Sequence, residues 1–189
     1  DYPQARRTDH VDILHGVHVP DPYRWMEDID SEETRTWIES QNQLTQSYLE
    51  NAPMREQIRQ RMTGLWDYEK FGIPEVHAGR YFYTYNTGLE NQDVLYWMQG
   101  LDGEPKCLLD PNTLSEDGTR ALTGTAVSNN GKFLAYGISE AGSDWQEWFV
   151  RQVEDAQELS DHLKWVKFSD ASWDKQDQGF FYSRYDAPG

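Results

Sequence analysis

The sequence predicts a mixed fold, in which a segment of strands and a helix pair is followed by an all-β region of repeated units. Apolar residues recur at helical spacing between about residues 30 and 65. From about residue 70 they alternate with polar residues, as they do in strands. A glycine that precedes an aromatic strand then recurs at Gly79, Gly131 and Gly179. The change of period predicts two structural regions, and the recurrence predicts that the second is built from repeats.

The first region should begin extended and continue as two helices. Prolines interrupt any helix in residues 1–30, and the valines there alternate as in short strands. Asp30 and Glu33 have the spacing of a capping box, which predicts a helix over about 32–51. A second helix should begin near Pro53, with an apolar stripe of Met54, Ile58, Met62 and Leu65. Because two amphipathic helices make no adequate core alone, we expect an antiparallel pair that covers another surface.

The second region has a repeat close to the length of a β-propeller blade. The recurring glycines are 52 and 48 residues apart, and blades of four strands take roughly 40–50 residues. In the first unit, Gly79–Tyr85 and Val94–Met98 are the predicted strands. A β-sandwich with evenly spaced hairpins stays open on the pattern alone. Only two blades and the start of a third fit before residue 189, so we expect an incomplete ring and a longer parent protein.

Composition excludes several classes of partner. The 33 acidic against 17 basic residues give a formal net charge of -16, which opposes binding to nucleic acid or to an anionic membrane. No stretch approaches the ~18 apolar residues of a membrane span. Aromatic residues make up 14% of the chain, which is unlike a disordered acidic tail. The mean hydropathy of -0.87 is nonetheless very polar for a self-contained globule.

The sequence offers no recognisable catalytic motif. It has no Gly-x-Ser-x-Gly elbow, and the nearest candidate, Gly142-Ser143-Asp144, lacks the second glycine and should lie in a turn. Phosphate-binding glycine loops and the His-Glu-x-x-His zinc motif are also absent. Many carboxylates are present, but one sequence cannot say which of them come close enough for acid/base chemistry.

No metal site is predicted either. His10, His15 and His18 form the one cluster of possible ligands, but their spacing is not that of a helical site. Asp28, Asp30 and Glu32 imitate the start of a calcium loop, although Glu33 stands where such a loop needs glycine. Cys107, the single cysteine, rules out an internal disulfide and lies in an apolar strand, so we expect a buried and inert thiol.

Several segments, in order along nearly the whole chain, carry a resemblance to a known family. They are Asp21–Asp28, Asp30–Thr34, Gly79–Tyr83, Tyr85–Leu89, Leu109–Ser115, Ala135–Gly137, Gly142–Trp145 and Val166–Ser169. One tetrapeptide of this kind would be weak, but the ordered series is specific. The chain resembles the N-terminal portion of the prolyl oligopeptidase family of serine peptidases.

That resemblance implies an architecture for each region. The family has an α/β-hydrolase domain built from both chain ends, with a β-propeller inserted between them. Residues 1–67 would be the N-terminal segment of the α/β-hydrolase domain. Residues 68–189 would be propeller blades 1 and 2 and the start of blade 3. The implied partners are the C-terminal hydrolase segment, the remaining blades and short proline-containing peptides, and no cofactor is implied.

The resemblance also implies a function. Members hydrolyse short peptides on the carboxyl side of proline with a Ser, His and Asp triad, and the propeller restricts substrate size. The triad lies in the family's C-terminal segment, so we expect no catalytic residue in this chain and no activity from the chain alone. Phe168, in the series Trp165–Ser169, matches a propeller phenylalanine that lines the substrate pocket, although Asp170-Ala171 departs from the family pattern. From the residue alone, a strand phenylalanine packed between sheets is the ordinary alternative.

Two other functions stay open on the residues. The chain could belong to a propeller interaction scaffold without chemistry, or to an all-β carboxylate enzyme such as a glycosidase. A Gly-x-Ser-x-Gly motif with downstream Asp and His in the parent gene would separate the peptidase from both. For the compartment we expect the cytoplasm, with the periplasm as the alternative.

Overall fold

The computed structural model describes residues 2–187, and the chain forms two compact units, residues 1–62 and 63–189. The end of the predicted blade region at Pro188 and Gly189 therefore lies outside the described residues, as does Asp1. Within the described part of the chain, no helix is both long and apolar enough to cross a membrane.

The first unit opens with a β-hairpin, which confirms the extended conformation expected for this segment. Strands β1 (Val11–Leu14) and β2 (Val17–Pro20) pair antiparallel. The two residues between them, His15 and Gly16, have φ values of 52° and 82°. A two-residue hairpin turn with positive φ at both positions follows the right-handed twist of the strands. A short 3₁₀ helix at Arg24–Glu27 then leads towards the first α-helix.

Helix α1 spans Glu32–Glu50, close to its predicted range, but the prediction of Asp30 as its cap is wrong. Ser31 is the N-cap, since its backbone is extended and its Oγ accepts a hydrogen bond from the Thr34 amide at 3.2 Å. The Asp30 carboxylate instead accepts from the Arg35 guanidinium at 2.6 Å. Ser31 caps the helix in place of Asp30 because a side-chain oxygen at this position can reach the third amide of the helix.

Helix α2 spans Arg55–Trp66, but the expected antiparallel packing of the two helices is wrong for the described residues. The predicted apolar stripe of α2 is exposed in the described chain, as Met62 shows at 63%. Helix α1 is held instead by the N-terminal segment. Arg6 makes two hydrogen bonds to Glu33, at 2.5 and 2.7 Å, and the Gln41 amide donates to the Pro3 carbonyl at 3.3 Å.

The second unit begins with a complete antiparallel sheet, which we call blade 1. Its strands are β3 (Lys70–Phe71), β4 (Glu75–His77), β5 (Arg80–Asn86), β6 (Val94–Gln99) and β7 (Lys106–Leu109). Strands β3 and β4 both pair with β5, and β6 and β7 follow in sequence order. The strands predicted after Gly79 and at Val94 are therefore confirmed.

Blade 2 repeats this arrangement with longer strands. They are β8 (Arg120–Val127), β9 (Phe133–Glu140), β10 (Gln146–Gln152) and β11 (Glu158–Val166), paired in sequence order. Strands β12 (Ser172–Trp173) and β13 (Phe180–Phe181) then form a separate two-stranded sheet, the start of a third blade. The successive meanders match the predicted repeat, and the described residues form no closed ring.

The main hydrophobic core lies between the two blades. Blade 2 contributes Leu134, Tyr136, Ile138 and Val153 to a single cluster with side chains of blade 1. Those of blade 1 are Phe82, Leu95, Trp97, Leu108 and Leu109. A second cluster, around Ala135, Trp148 and Val166, packs on the opposite face of blade 2 against Trp173 and Phe180 of the next sheet. Each blade therefore buries its faces against its neighbours in the row.

Polar contacts join blade 1 to blade 2 around this core. The guanidinium of Arg80 and the ammonium of Lys106 lie 4.7 and 4.8 Å from the Trp97 ring centroid, and both side chains pair with Glu154. Arg80 also donates to the Gly131 carbonyl at 2.9 Å. Gly131 has a φ of 66°, and a Cβ there would lie 2.8 Å from the His77 carbonyl oxygen. The recurring glycine thus permits a close backbone approach between blades.

A similar contact joins blade 2 to the third sheet. The Asp177 carboxylate accepts from the amides of Asn129 and Asn130, each at 2.8 Å, and from the Asn129 side chain at 2.7 Å. Desolvation works to raise the pKa of Asp177, but these hydrogen bonds outweigh it and hold the pKa below its ordinary value. The turn of one blade is thereby anchored to the turn of the next.

Candidate functional site

Phe168, the one predicted site residue, lies in the connection between β11 and β12. Its side chain is 75% exposed, so the described part of the chain does not pack it between sheets. Its φ is 54°, and Trp165, three residues earlier, has a φ of 63°. Two bulky residues in the left-handed region so close together are unusual. Such conformations persist where the surroundings fix them, and they concentrate at ligand contacts and switches.

The backbone of this connection is fixed from both sides. Val166 is buried and pairs with Gln146 of β10. The Tyr185 amide donates to the Trp165 carbonyl at 2.9 Å, and the Ser183 amide donates to Ser169 Oγ at 2.9 Å. The main chain that carries Phe168 is therefore held in place while the phenyl ring extends into solvent.

An aromatic cluster surrounds the start of the connection. Trp145 meets Trp165 edge-to-face, with ring centroids 6.0 Å apart and planes at 90°. It meets Tyr185 in the same way, at 5.8 Å and 89°. The two tryptophans, together with Glu147 and Phe149, line a cavity of about 170 Å³ at this end of blade 2. Perpendicular aromatic pairs of this kind set ring orientation as well as burying area.

Lys167 brings a positive charge between these rings. Its Nζ lies 5.2 Å from the Trp145 ring centroid and 5.1 Å from that of Phe168. The same Nζ is 3.2 Å from Asp144 Oδ2, and only 26% of the lysine side chain is exposed. Asp144, Trp145 and Lys167 therefore form a contact set that reaches the Phe168 ring, and we call this set the Lys167 clamp.

The neighbouring serine is engaged in a turn, as the sequence predicted. Gly142 has a φ of 75°, and Ser143 Oγ accepts a hydrogen bond from the Trp145 amide at 3.1 Å. A nucleophile elbow places its serine between a strand and a helix. Ser143 lies instead between two adjacent strands of blade 2, β9 and β10.

The three histidines at the start of the chain have different surroundings. His15 occupies the turn of the β1–β2 hairpin, and His18 pairs with Ile13 within it. His10 Nε2 lies 3.2 Å from Asp12 Oδ1. Among residues 2–187, no group of three His, Cys, Asp or Glu side chains is placed to hold a metal ion.

Cys107 is exposed, so the prediction of a buried thiol is wrong. It lies on β7, the last strand of blade 1, whose first two residues are exposed and whose last two, Leu108 and Leu109, are buried. Partial burial and the Asp110 charge nevertheless raise the pKa of the Cys107 thiol, which disfavours the reactive thiolate.

Comparison with known proteins adds a family to this geometry. The profile of the prolyl oligopeptidase N-terminal β-propeller domain matches residues 3–189. The chain belongs to the prolyl oligopeptidase family. Among curated relatives, the prolyl endopeptidase of Elizabethkingia meningoseptica is 40% identical over 188 residues, which cover 99% of this chain and 26% of that protein. The prolyl oligopeptidase A of Amanita bisporigera is 38% identical over 214 residues, covering 100% of this chain and 28% of that protein.

Solved prolyl oligopeptidase structures have the same fold. A structure from a study of two prolyl endopeptidases superposes with a TM-score of 0.87 at 35% identity, covering 97% of this chain and 27% of that one. Prolyl oligopeptidase B of Galerina marginata, bound to a hydrolysis and macrocyclization substrate, superposes with a TM-score of 0.81 at 34% identity. That match covers 98% of this chain and 30% of the Galerina chain. The chain thus spans little more than a quarter of its relatives, in the propeller region that the repeat predicted.

The sequence predicted Phe168 as a candidate contact, but it did not indicate the residues around it. The positive φ of Trp165 and the packing of Trp145 on Tyr185 have no signature in the printed sequence. One signal was available, since Lys167 directly precedes Phe168 and Asp144 directly precedes Trp145. An ion pair between these two charged residues would bring the lysine close to both aromatic rings, where a cation–π contact can form.

Proposed function

We propose that the chain is the N-terminal part of a proline-specific serine oligopeptidase, which hydrolyses short peptides on the carboxyl side of proline. The observation that carries this is the family match over residues 3–189, together with relatives that are named prolyl endopeptidases at up to 40% identity. Hydrolysis would follow the serine-peptidase route, in which an activated serine attacks the peptide carbonyl and donors stabilise the oxyanion.

In this proposal the chain supplies access control and not the chemistry. Residues 1–67 would belong to the α/β-hydrolase domain, and residues 68–189 would be the first blades of a propeller that restricts substrate size. Exposed apolar side chains on α1 and α2 support a partner that covers them. They include Ile38, Leu49, Ile58 and Leu65. The partners would be the C-terminal hydrolase segment and the remaining blades, and the chain alone would be inactive.

Phe168 would contact the peptide substrate. Its ring is exposed on a fixed main chain, and an aromatic face offers a rigid apolar surface to proline and its neighbours. We expect Phe168→Ala in the full-length protein to weaken peptide binding by about 1–2 kcal/mol while thermal stability barely changes. A structural phenylalanine would behave differently, with a stability loss of about 3–5 kcal/mol and nearly normal kinetics.

A chromogenic Gly-Pro substrate tests the activity. The full-length gene product should cleave it after proline, and residues 1–189 alone should not. As a control, residues 1–189 are purified from cells in which the full-length protein lacks its nucleophilic serine. Cleavage by residues 1–189 from these cells would contradict the proposal that this chain carries no chemistry. Failure of the full-length protein to cleave would favour the propeller scaffold instead.

Macrocyclization is a second activity, which a longer peptide substrate can detect. The dual function macrocyclase-peptidase of Amanita bisporigera is 34% identical over 212 residues, covering 98% of this chain. With a long proline-containing peptide, hydrolysis adds a water to the products, whereas transfer of the acyl group to the peptide's own amine forms a ring without it. Mass spectrometry separates these products, and we expect the hydrolytic one. For the compartment we propose the cytoplasm, which fractionation of the native cells would test.

A further inference from the structure

The Lys167 clamp holds a charged side chain away from solvent that it could readily reach. Only 26% of the lysine side chain is exposed, whereas the Phe168 beside it is 75% exposed. Ordering a long lysine side chain costs conformational entropy, and an exposed ion pair with Asp144 alone would offset little of it. The aromatic contacts supply the rest, because a cation on an aromatic face is attracted by the ring quadrupole.

The clamp acts on the one part of this connection that the backbone contacts leave free. Hydrogen bonds hold the Trp165 carbonyl and the Ser169 side chain. They do not fix the torsions of the Phe168 side chain, whose ring extends from the surface. The Lys167 ammonium, 5.1 Å from the centre of that ring, favours the orientation in which one aromatic face meets the cation. The opposite face then remains available to a ligand.

Asp144 and Trp145 hold the lysine in turn. They lie in the turn between β9 and β10, at the same end of blade 2 as the connection. The carboxylate is 3.2 Å from the lysine Nζ, and the Trp145 ring presents a second aromatic surface at 5.2 Å. Because Trp145 also packs edge-to-face on the ring of Trp165, whose carbonyl accepts from the Tyr185 amide, the clamp is joined to a residue with a fixed main chain.

We propose that Lys167 is a positioning residue, which holds the Phe168 ring in the orientation that receives an apolar, proline-containing peptide. The proposal rests on the function proposed above, in which Phe168 contacts the substrate. A ring already held in its bound orientation loses less entropy when the peptide binds, so removal of the cation should weaken binding without touching the reacting groups.

The test is steady-state kinetics of the full-length protein on a chromogenic peptide with apolar residues before proline. Lys167→Met keeps most of the side chain but removes the charge, and should raise KM about three-fold with kcat unchanged, the size expected of a partly exposed cation–π contact. Lys167→Arg retains a cation and should restore KM to near the wild-type value. Lys175→Met is the matched control, because Lys175 is an exposed lysine in the nearby β12–β13 turn.

A double-mutant cycle distinguishes positioning from a general effect on the fold. If Lys167 acts through the ring, Lys167→Met should have no further effect in a Phe168→Ala background. An equal rise of KM in both backgrounds, a fall in kcat, or no rescue by arginine would overturn the proposal. If Phe168→Ala raises KM and Lys167→Met does not, positioning fails alone. If Phe168→Ala leaves KM unchanged, the proposed substrate contact fails and the positioning role fails with it.

Discussion

The helical unit and the blade unit differ in how they treat their apolar side chains. Within the part of the chain that the structure describes, all of the buried hydrophobic residues lie in the second unit, from Phe82 to Val166. Among the described residues 2–62, only Thr34 is buried, and it is polar. The blades bury their faces against each other because successive repeats are neighbours in space. The two helices are amphipathic as well, but the described chain gives their apolar faces no comparable cover.

Polar groups show the same difference. In the blade unit, the buried Tyr136 hydroxyl donates to the Glu158 carboxylate, which also receives the Arg151 guanidinium. In the helical unit, the indole Nε1 of Trp37 is buried with no acceptor among the described residues. Buried polar groups normally have partners. The blade unit therefore satisfies its buried polar groups locally, whereas the helical unit has the surface expected of a segment that packs against further protein.

The largest expected effect tests this contrast directly. Leu134 is fully buried between the blades, with 0% exposure. Leu134→Ala should therefore lower the free energy of unfolding by about 2–5 kcal/mol, because it removes buried apolar surface and leaves a cavity. Met62→Ala should change stability by no more than about 0.5 kcal/mol in residues 1–189 alone, because that side chain is 63% exposed. Urea unfolding of both variants measures the two values.

The same pair in the full-length protein sharpens the comparison. If other segments cover α2, Met62→Ala should now cost about 2 kcal/mol or more, as buried methionines do. The cost of Leu134→Ala should stay the same, since its neighbours are already present. If Met62→Ala leaves the free energy of unfolding unchanged in both proteins, this face of α2 stays exposed. The interpretation that further protein covers the helical unit would then be wrong.

The contrast also explains which features the sequence could predict. The blade repeat was visible because Gly79, Gly131 and Gly179 each precede a strand with aromatic residues, which is a local signal. Both helices were visible from their period for the same reason. Strand β11 was not predicted, since Glu158–Val166 includes a run of exposed polar residues, Ser160, Asp161 and His162, that hides its alternation. Two of the predictions that failed, the helix packing and the burial of Cys107, depended on neighbours distant in the sequence.

The candidate site divides along the same line. Phe168 could be found because its flanking residues match a family motif, but its substrate contact stays a prediction. The Lys167 clamp joins residues about twenty positions apart through the left-handed backbone at Trp165 and Phe168. Such conformations at non-glycine residues are set by tertiary contacts, and residue types alone do not announce them.

A smaller effect is expected at the start of α1. Ser31→Ala should cost about 1 kcal/mol, because it leaves the Thr34 amide without its capping oxygen. Asp30→Ala is the matched control and should cost no more than about 0.5 kcal/mol, since its carboxylate makes an exposed ion pair with Arg35. Thermal unfolding of residues 1–189, followed by circular dichroism, measures both. Equal stability losses for Ser31→Ala and Asp30→Ala would contradict the assignment of Ser31 as the cap.

An effect of similar size concerns pH and the hydroxyl of Tyr136 in the blade core. Burial, followed by the hydrogen bond to Glu158, raises the pKa of Tyr136 above the ordinary value of 10.0. The unfolded chain then loses this proton at lower pH than the folded chain does. The associated stability is therefore complete below about pH 10 and is lost as pH rises from there towards the folded pKa, by at most about 1.4 kcal/mol per pH unit.

Tyr136→Phe should accordingly cost about 1 kcal/mol at pH 8, where the hydrogen bond to Glu158 is lost. The gap between wild type and variant should narrow above about pH 10, since only the wild type has this proton to lose. Tyr48→Phe, at an exposed tyrosine of α1, is the matched control and should run parallel to the wild type throughout. Urea unfolding between pH 8 and 11 gives all three curves. A stability difference between wild type and Tyr136→Phe that stays constant with pH would mean that the fold does not raise the pKa of Tyr136. The hydroxyl would then not be a satisfied buried group, and the contrast with Trp37 would fail.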